Sequence, residues 1–336
     1  MRLTEIAVGL LPVLIFLGAL LYMDSYKLVK LRYVIMTVVA GALTGWASYF
    51  ANGAILSATG MDWTAFTRYV APLVEESFKG LIILALIRLR RIGFLVDAAI
   101  FGFAVGTGFS ILENIYYFVA LVGGDAGIGT WIIRGFGTAI MHGGATAILA
   151  VTTLNYLDQP GQRGVLALVP AMCLAYVVHS LYNHALLPPI YQTFVVLVAL
   201  PALLVLVFQH SEKSVGSWLG SGFDADARLL ELLDSGQFSD SPMGMYLMSL
   251  KEKFHGPVVA DILCYVRLHT ELALRAKGVL MMRENGFDAP IDQLTRAKFT
   301  EMRYLEGSIG KTGLLAIDPM LHLSRKDLWQ LNLLEK

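Results

Sequence analysis

The chain has 336 residues, 56% of them hydrophobic and 15% charged, with 26 basic and 26 acidic side chains. Soluble globular proteins carry about 25% charged residues, so this balance points to a membrane and, with no basic surplus, excludes a nucleic-acid partner. The two cysteines, Cys173 and Cys264, share no metal-type spacing and do not make a disulfide scaffold.

Charge is unevenly placed: residues 1–210 hold 11 Lys/Arg and 9 Asp/Glu, residues 211–336 hold 15 and 17. The chain therefore divides into a hydrophobic block, 1–210, and a tail of soluble composition, 211–336. About 20 apolar residues cross the roughly 30 Å hydrocarbon layer as a helix. Seven such stretches are read at 5–23, 33–53, 64–88, 93–121, 131–157, 165–187 and 190–209. They predict an all-α, polytopic bundle of about seven transmembrane helices. The first has Glu5 where a signal peptide would be basic, and no small-residue cleavage site follows its long apolar core. It reads as an uncleaved span.

Orientation is read from the loops. Lys27, Lys30 and Arg32 follow the first span, Arg88, Arg90 and Arg91 the third, and Arg163 the fifth. The alternate loops, around SATGMD, GGDAGIGT and LPP, contain no Lys or Arg. Positive residues stay on the cytoplasmic side. The reading is a multi-pass protein of the cell membrane with its amino terminus outside and its tail inside. The loop GGDAGIGT reads as an ordinary flexible loop, with a substrate gate as the sharper alternative.

The fourth span has Ala98, Gly102, Gly106 and Ser110 at steps of four, and the fifth Gly135, Ala139, Gly143 and Ala147. Such ladders let membrane helices pack backbone to backbone. Glu113 lies seven residues after Gly106 and His142 seven after Gly135, so each is expected on the side of its glycine.

Charged groups are costly in hydrocarbon, at about 2.5–3.5 kcal/mol each on insertion scales. The spans nevertheless contain Glu75, Glu76, Lys79, Glu113, Asn114, His142, His179, Asn183 and His184. At about 1.5 Å rise per residue, Glu76 lies about 18 Å and His142 about 16 Å from the outer face. Glu113 and His179, on helices of opposite sense, both lie about 12 Å from it. Four helices thus bring two acids and two imidazoles to one layer. His179 and Asn183, four apart, share a face, and Glu75 and Lys79 at the same spacing form an expected pair. Spacing leaves open which of Glu75 and Glu76 meets the histidines.

Plainer roles are assigned to the other polar residues. Asp97, Arg68 and Arg134, near span ends, read as headgroup contacts. His184 is read as a helix–helix hydrogen-bond partner, Asn114 as a cap or cross-link, and the tyrosines Tyr116, Tyr117 and Tyr182 as interface anchors.

Carboxylates beside imidazoles in a partly dry cavity suit the activation of water. His and Asn donors on one helix face suit a tetrahedral oxyanion. The same groups serve equally as zinc ligands, from His142, His179 and Glu76 or Glu113, because two His and one Glu with a water form a hydrolytic zinc set. Both routes hydrolyse a peptide bond. No serine or cysteine is placed as a nucleophile beside a base.

EESFK at 75–79 resembles the EExxK motif of the PrsW intramembrane proteases, relatives of the type II CAAX prenyl endopeptidases and bacteriocin-processing-type membrane proteases. FSILEN at 109–114 is similar to the second motif of that family, His142 to the third, and HSLYN at 179–183 to the closing His-x-x-x-Asn. The resemblance covers roughly residues 60–187. It implies an endopeptidase that cuts a membrane-tethered protein, in the best-known members an anti-sigma factor, near the extracytoplasmic side. It implies Glu75 or Glu76 as the water-activating group, aided by Glu113 or His142, with His179 and Asn183 on the oxyanion. Lys79 and Asn114 support them. The resemblance leaves zinc open. CAAX endopeptidases have His where Glu113 stands, so prenylated substrates are not implied.

Two rival readings of the same polar layer are a proton- or ion-coupled transporter and a non-cutting scaffold for membrane segments. The absence of an internal repeat argues against the transporter. In the tail, turn clusters GSWLGSGFD and DSGQFSDSP separate periodic stretches 226–234, 243–254 and 258–284, predicting a small helical domain that regulates, self-associates or binds a partner. His255, His269 and His322 read there as surface residues.

Overall fold

Inside hydrocarbon, backbone polar groups must be paired within the protein, and the hydrophobic block meets that demand with helices. The computed structural model describes residues 3–121, 127–159, 166, 168–287, 290–321 and 325–335, and no strand occurs among them. Helix α1 is Leu3–Met23, α2 is Leu31–Thr59, and α3 covers 63–88 with a π turn at Phe66–Val70. Helix α4 is Leu95–Tyr116, continued by a π turn at Tyr117–Leu121. Helix α5 is Ile128–Leu157, with a π turn at Ile133–Thr138, α6 is Leu168–Asn183 and α7 is Pro189–Asp234.

Of these seven, α1, α2, α4, α5 and α7 are long and apolar enough to cross a membrane. Helix α6 has only 16 residues. Helix α3 is diluted by Arg68, Glu75, Glu76 and Lys79. Residues 123–126 of the GGDAGIGT loop, and Arg163, lie outside the described residues.

Helix α4 is the centre of the block, buried without interruption from Val96 to Ser110. It is held between α2 and α5 at backbone contact. A Cβ added at Gly106 would lie 2.6 Å from Gly143 Cα, and one at Gly102 would lie 2.6 Å from the Thr146 carbonyl. Hydroxyls in this packing are satisfied by their own helices, as Thr107 Oγ1 donates to Phe103 O (2.8 Å) and Thr146 Oγ1 to His142 O (2.9 Å). They therefore introduce no unpaired polar group.

Gly106 and Glu113 share the α5 side of α4, as the spacing predicts: Gly106 meets the His142 backbone and Glu113 its ring. Gly135 and His142 do not share a side. The π turn at Ile133–Thr138 inserts an extra residue between them, so Gly135 packs on Val8 of α1 while His142 turns to α3, α4 and α6.

The chain forms two compact units, Met1–Asp24 with Leu28–Glu212, and Ser25–Lys27 with Lys213–Lys336. In the second, α7 runs unbroken to Asp234, so GSWLGSGFD is helix rather than turn. Packing overrides the glycines there: Val215 and Leu219 are buried, and Gly222 lies against the stem of Lys277. DSGQFSDSP is a turn, with Gly236 at φ 73° and Ser241 accepting from Gly244 N (3.0 Å) to start α8, Pro242–Ser249. Helices α9 (Gly256–Glu284), α10 (Gln293–Leu321, broken at Gly310) and α11 (Arg325–Glu335) complete the unit. They close a core around Ile262, Val266, Leu272, Phe299 and Leu334.

His255 is exposed and His322 lies outside the described residues, but His269 is only 3% exposed, on the inner face of α9. Its Nε2 has no hydrogen-bond partner, and burial pushes the imidazole down to about 4. An unfolded chain would bind this proton near pH 6.5 and the folded one only near 4, so acid favours unfolding in that window and stability is complete above it. Between pH 7 and pH 5 the tail unit should lose roughly 2 kcal/mol by hydrogen exchange of α9 amides. His269→Phe should remove most of that dependence.

Candidate active site

Helix α3 delivers the acids. Its π turn leaves carbonyls that α6 takes up, with Ser180 Oγ donating to Arg68 O (2.7 Å) and Asn183 Nδ2 to Thr67 O (2.9 Å). About two turns further along, Glu76 and Lys79 are fully buried, and Lys79 Nζ donates to Glu76 Oε1 at 2.7 Å. Lys79 also stands 3.1 Å from His142 Nδ1 and 4.0 Å above the Phe109 ring. The expected Glu75–Lys79 pair is thus replaced by Glu76–Lys79. Glu76 has no route to water, so its charge requires the nearest cation. Glu75 keeps 16% of its side chain exposed. Its Oε1 accepts from Asn52 Nδ2 of α2 (3.2 Å), and its Oε2 lies 3.7 Å from His179 Nε2.

The imidazoles are fixed by these acids. His179 Nδ1 is 2.8 Å from Glu76 Oε1, so the proton is assigned to Nδ1 and the Nε2 lone pair faces Glu75. Lys79 can only donate, so His142 Nδ1 accepts, and its Nε2–H donates to Glu113 Oε2 at 3.0 Å. The two rings stand edge to face with centroids 4.7 Å apart. Glu75, Glu76, Glu113, His142, His179 and Lys79 therefore form one connected network, in which Glu75 and Glu113 keep part of their surface exposed.

Asn183 turns instead to the α3 π turn, donating its Nδ2 to the Thr67 carbonyl. His184 bonds back to Ser180 O (2.6 Å) and packs edge-on against Tyr69. Asn114 is a cross-link: its Nδ2 donates to Gly9 O of α1 and its Oδ1 accepts from Arg134 Nε, both at 2.8 Å. Arg134 does not reach for headgroups. It is 9% exposed and ion-paired with Glu113 at 3.3 Å. Asp97 is likewise buried, accepting from Gly93 N and Phe94 N ahead of α4.

Sequence reasoning missed Asn52, Ser180 and Arg134. Asn52 sits towards the C-terminal end of α2 with no charged neighbour in sequence to mark it. Ser180 follows His179 directly, and only the unpaired carbonyls of the π turn give it a purpose.

Glu76 with Lys79, and Glu113 with Arg134, balance in charge. Glu75 is the acid of the group with no Lys or Arg within ion-pair distance among the described residues. One ligand atom each from Glu75, His142 and His179 lies within 4.8 Å of the others. Two imidazoles and a carboxylate fit zinc by type and number, and the Nδ1–carboxylate bond of His179 is the usual support of a ligating histidine. This set contains Glu75 where the sequence suggested Glu76 or Glu113. Glu76 is occupied by Lys79 and His179, and Glu113 by Arg134 and His142.

Acids and imidazoles converging inside apolar helices, with one carboxylate unneutralised and partly exposed, define a membrane-embedded hydrolase. Residues 30–208 match the family described as PrsW family intramembrane metalloprotease, which is 179 of the 336 residues. The chain belongs to that family and is an intramembrane protease. No curated protein and no solved structure gives a significant match.

Proposed function

We propose that the chain cuts a single-pass or otherwise tethered, anti-sigma-factor-like protein near the extracytoplasmic side, using water activated at Glu75. The observation that carries this reading is the 3.7 Å gap between Glu75 Oε2 and His179 Nε2, two acceptors with room for one shared atom. A water held there donates to both and points its own lone pairs at a substrate carbonyl. As oxygen attacks, Glu75 Oε2 takes the proton. The tetrahedral oxyanion lies beside α6, with the second N–H of Asn183 as its stabiliser. When the C–N bond breaks, Glu75 returns the proton to the leaving nitrogen.

Glu75, His142 and His179 would hold zinc, which when bound would polarise the scissile carbonyl and acidify water. His142 would then release Lys79 or Glu113, because both its ring nitrogens are engaged. The loops bearing Lys27, Lys30, Arg32, Arg88, Arg90 and Arg91 support a cytoplasmic tail, 211–336, and α3 and α6 as two further crossings beside the five long helices.

The test is cleavage of membrane-tethered peptides by the purified, reconstituted chain, with the cut mapped by mass spectrometry. A cut on the outer side is expected, and cuts confined to the cytoplasmic side would overturn the reading. Dialysis against a chelator then assigns Glu75: loss restored by zinc makes it a ligand, and undiminished cleavage makes it the base.

A further inference from the structure

Glu75 is held differently from the other acids of the network. Glu76 and Glu113 lie against Lys79 and Arg134, at 2.7 Å and 3.3 Å, and Glu75 against a neutral amide. That amide arrives on α2, whose Gly41 and Gly45 bring the helix to backbone contact with α4. A Cβ at Gly41 would lie 2.8 Å from the Val105 carbonyl carbon, and one at Gly45 would lie 3.4 Å from Phe109 O. Ser48 and Asn52 follow on the same face, seven and eleven residues after Gly41. Asn52 Nδ2 donates to Glu75 Oε1 at 3.2 Å, while Glu75 Oε2 lies 3.7 Å from His179 Nε2. The carbonyl end of the same amide, Oδ1, is buried and has no hydrogen-bond partner among the described residues.

We propose that Asn52 is a positioning residue for the hydrolytic site, pinning Glu75 Oε1 so that Oε2 is the oxygen presented to His179 and the substrate. The inference rests on the function proposed above. It is the same whether Glu75 acts as base or as ligand, because either role needs one oxygen held in place. The last torsion of a glutamate is broad and roughly two-fold, so an untethered carboxyl exchanges its oxygens and swings off its target. An amide N–H stops that motion without bringing a second charge into the site. The unmet Oδ1 argues that the amide is not there for stability. A buried acceptor without a partner is destabilising, and an apolar residue of the same shape would avoid it.

The experiment compares wild type, Asn52→Leu, Glu75→Gln and the Asn52→Leu/Glu75→Gln double variant in liposomes. Leucine has the shape of asparagine and no donor. Two readouts are used: kcat and KM on a tethered peptide, per folded protein, and solid-state ¹³C NMR of glutamate-labelled protein. Glu75 is assigned by the loss of its signal in Glu75→Gln. Asn52→Leu should lower kcat about 10–100-fold with KM within about twofold, the range for a lost partner or a small misplacement of a site group. In the Glu75→Gln background it should cost nothing further, because no working oxygen is left to place. The Glu75 carboxyl should give the signal of one ordered group in wild type and a motionally averaged one in Asn52→Leu. Should Asn52→Leu fail to fold, Asn52→Ser is read instead, with the same loss expected. Serine is too short to reach Glu75, and its own helix can satisfy the hydroxyl.

Wild-type kcat in the readable Asn52 variant would overturn the inference, as would a loss that recurs in full beside Glu75→Gln or a Glu75 carboxyl that stays ordered. A raised KM with unchanged kcat would overturn it too, making Asn52 a substrate contact. A wild-type protein that cuts no tethered peptide would instead sink the proposed function, and the NMR comparison would still decide the role of Asn52.

Discussion

Glu75→Gln should lower turnover of a tethered peptide by about 10²–10⁴-fold, the usual worth of a positioned proton acceptor, with KM and helix content unchanged. Glutamine preserves the shape of the side chain and can still accept from Asn52, so the packing of α2 on α3 is kept. It removes only the basic oxygen 3.7 Å from His179 Nε2. No Lys or Arg pairs with Glu75 among the described residues, so the change strands no buried cation. This separates it from changes at Glu76 and Glu113. Initial rates in proteoliposomes check it, and a variant that retains a third of wild-type turnover would remove Glu75 from the mechanism.

The second large effect is on stability. Lys79 and Glu76 are both fully buried and 2.7 Å apart, so removing either leaves an enclosed charge. Breaking such a pair costs about 3–5 kcal/mol, whereas replacing both partners by neutral groups is often close to neutral. Lys79→Met and Glu76→Gln should therefore each be strongly destabilised. The double variant should recover most of the loss, a coupling that thermal inactivation in detergent can measure. Recovered stability should not bring recovered cleavage. Without the carboxylate at 76, nothing requires the His179 proton to sit on Nδ1. A Lys79→Met protein as stable as wild type would mean that the ammonium is not enclosed as described.

The convergence of Glu76, Glu113, His142 and His179 was legible because rise per residue is a fixed quantity, and depth from a membrane surface follows from counting. Facing directions were less legible, for a specific reason. Arg134 precedes His142 by eight residues, which on an ideal helix places them about 80° apart. The π turn at Ile133–Thr138 absorbs one residue, leaving about 20°, so the two side chains face the same neighbours. No composition signal marks such a turn. The pairing of Lys79 with Glu76 rather than Glu75 depended on which acid the neighbouring helices enclose, information that spacing along α3 lacks. In the tail, the glycines of GSWLGSGFD argued locally for a turn. Buried Val215 and Leu219 decided for helix, because tertiary packing outweighs glycine's local cost of about 1 kcal/mol.

The most direct measurement places purified protein in liposomes with a library of single-pass peptides, maps every cut by mass spectrometry, and follows internal pH with an enclosed dye. The account predicts cuts clustered on the outer side of the tethered segments, absent with Glu75→Gln, and no proton flux coupled to them. Intact peptides beside a proton flux that Glu75→Gln abolishes would contradict it.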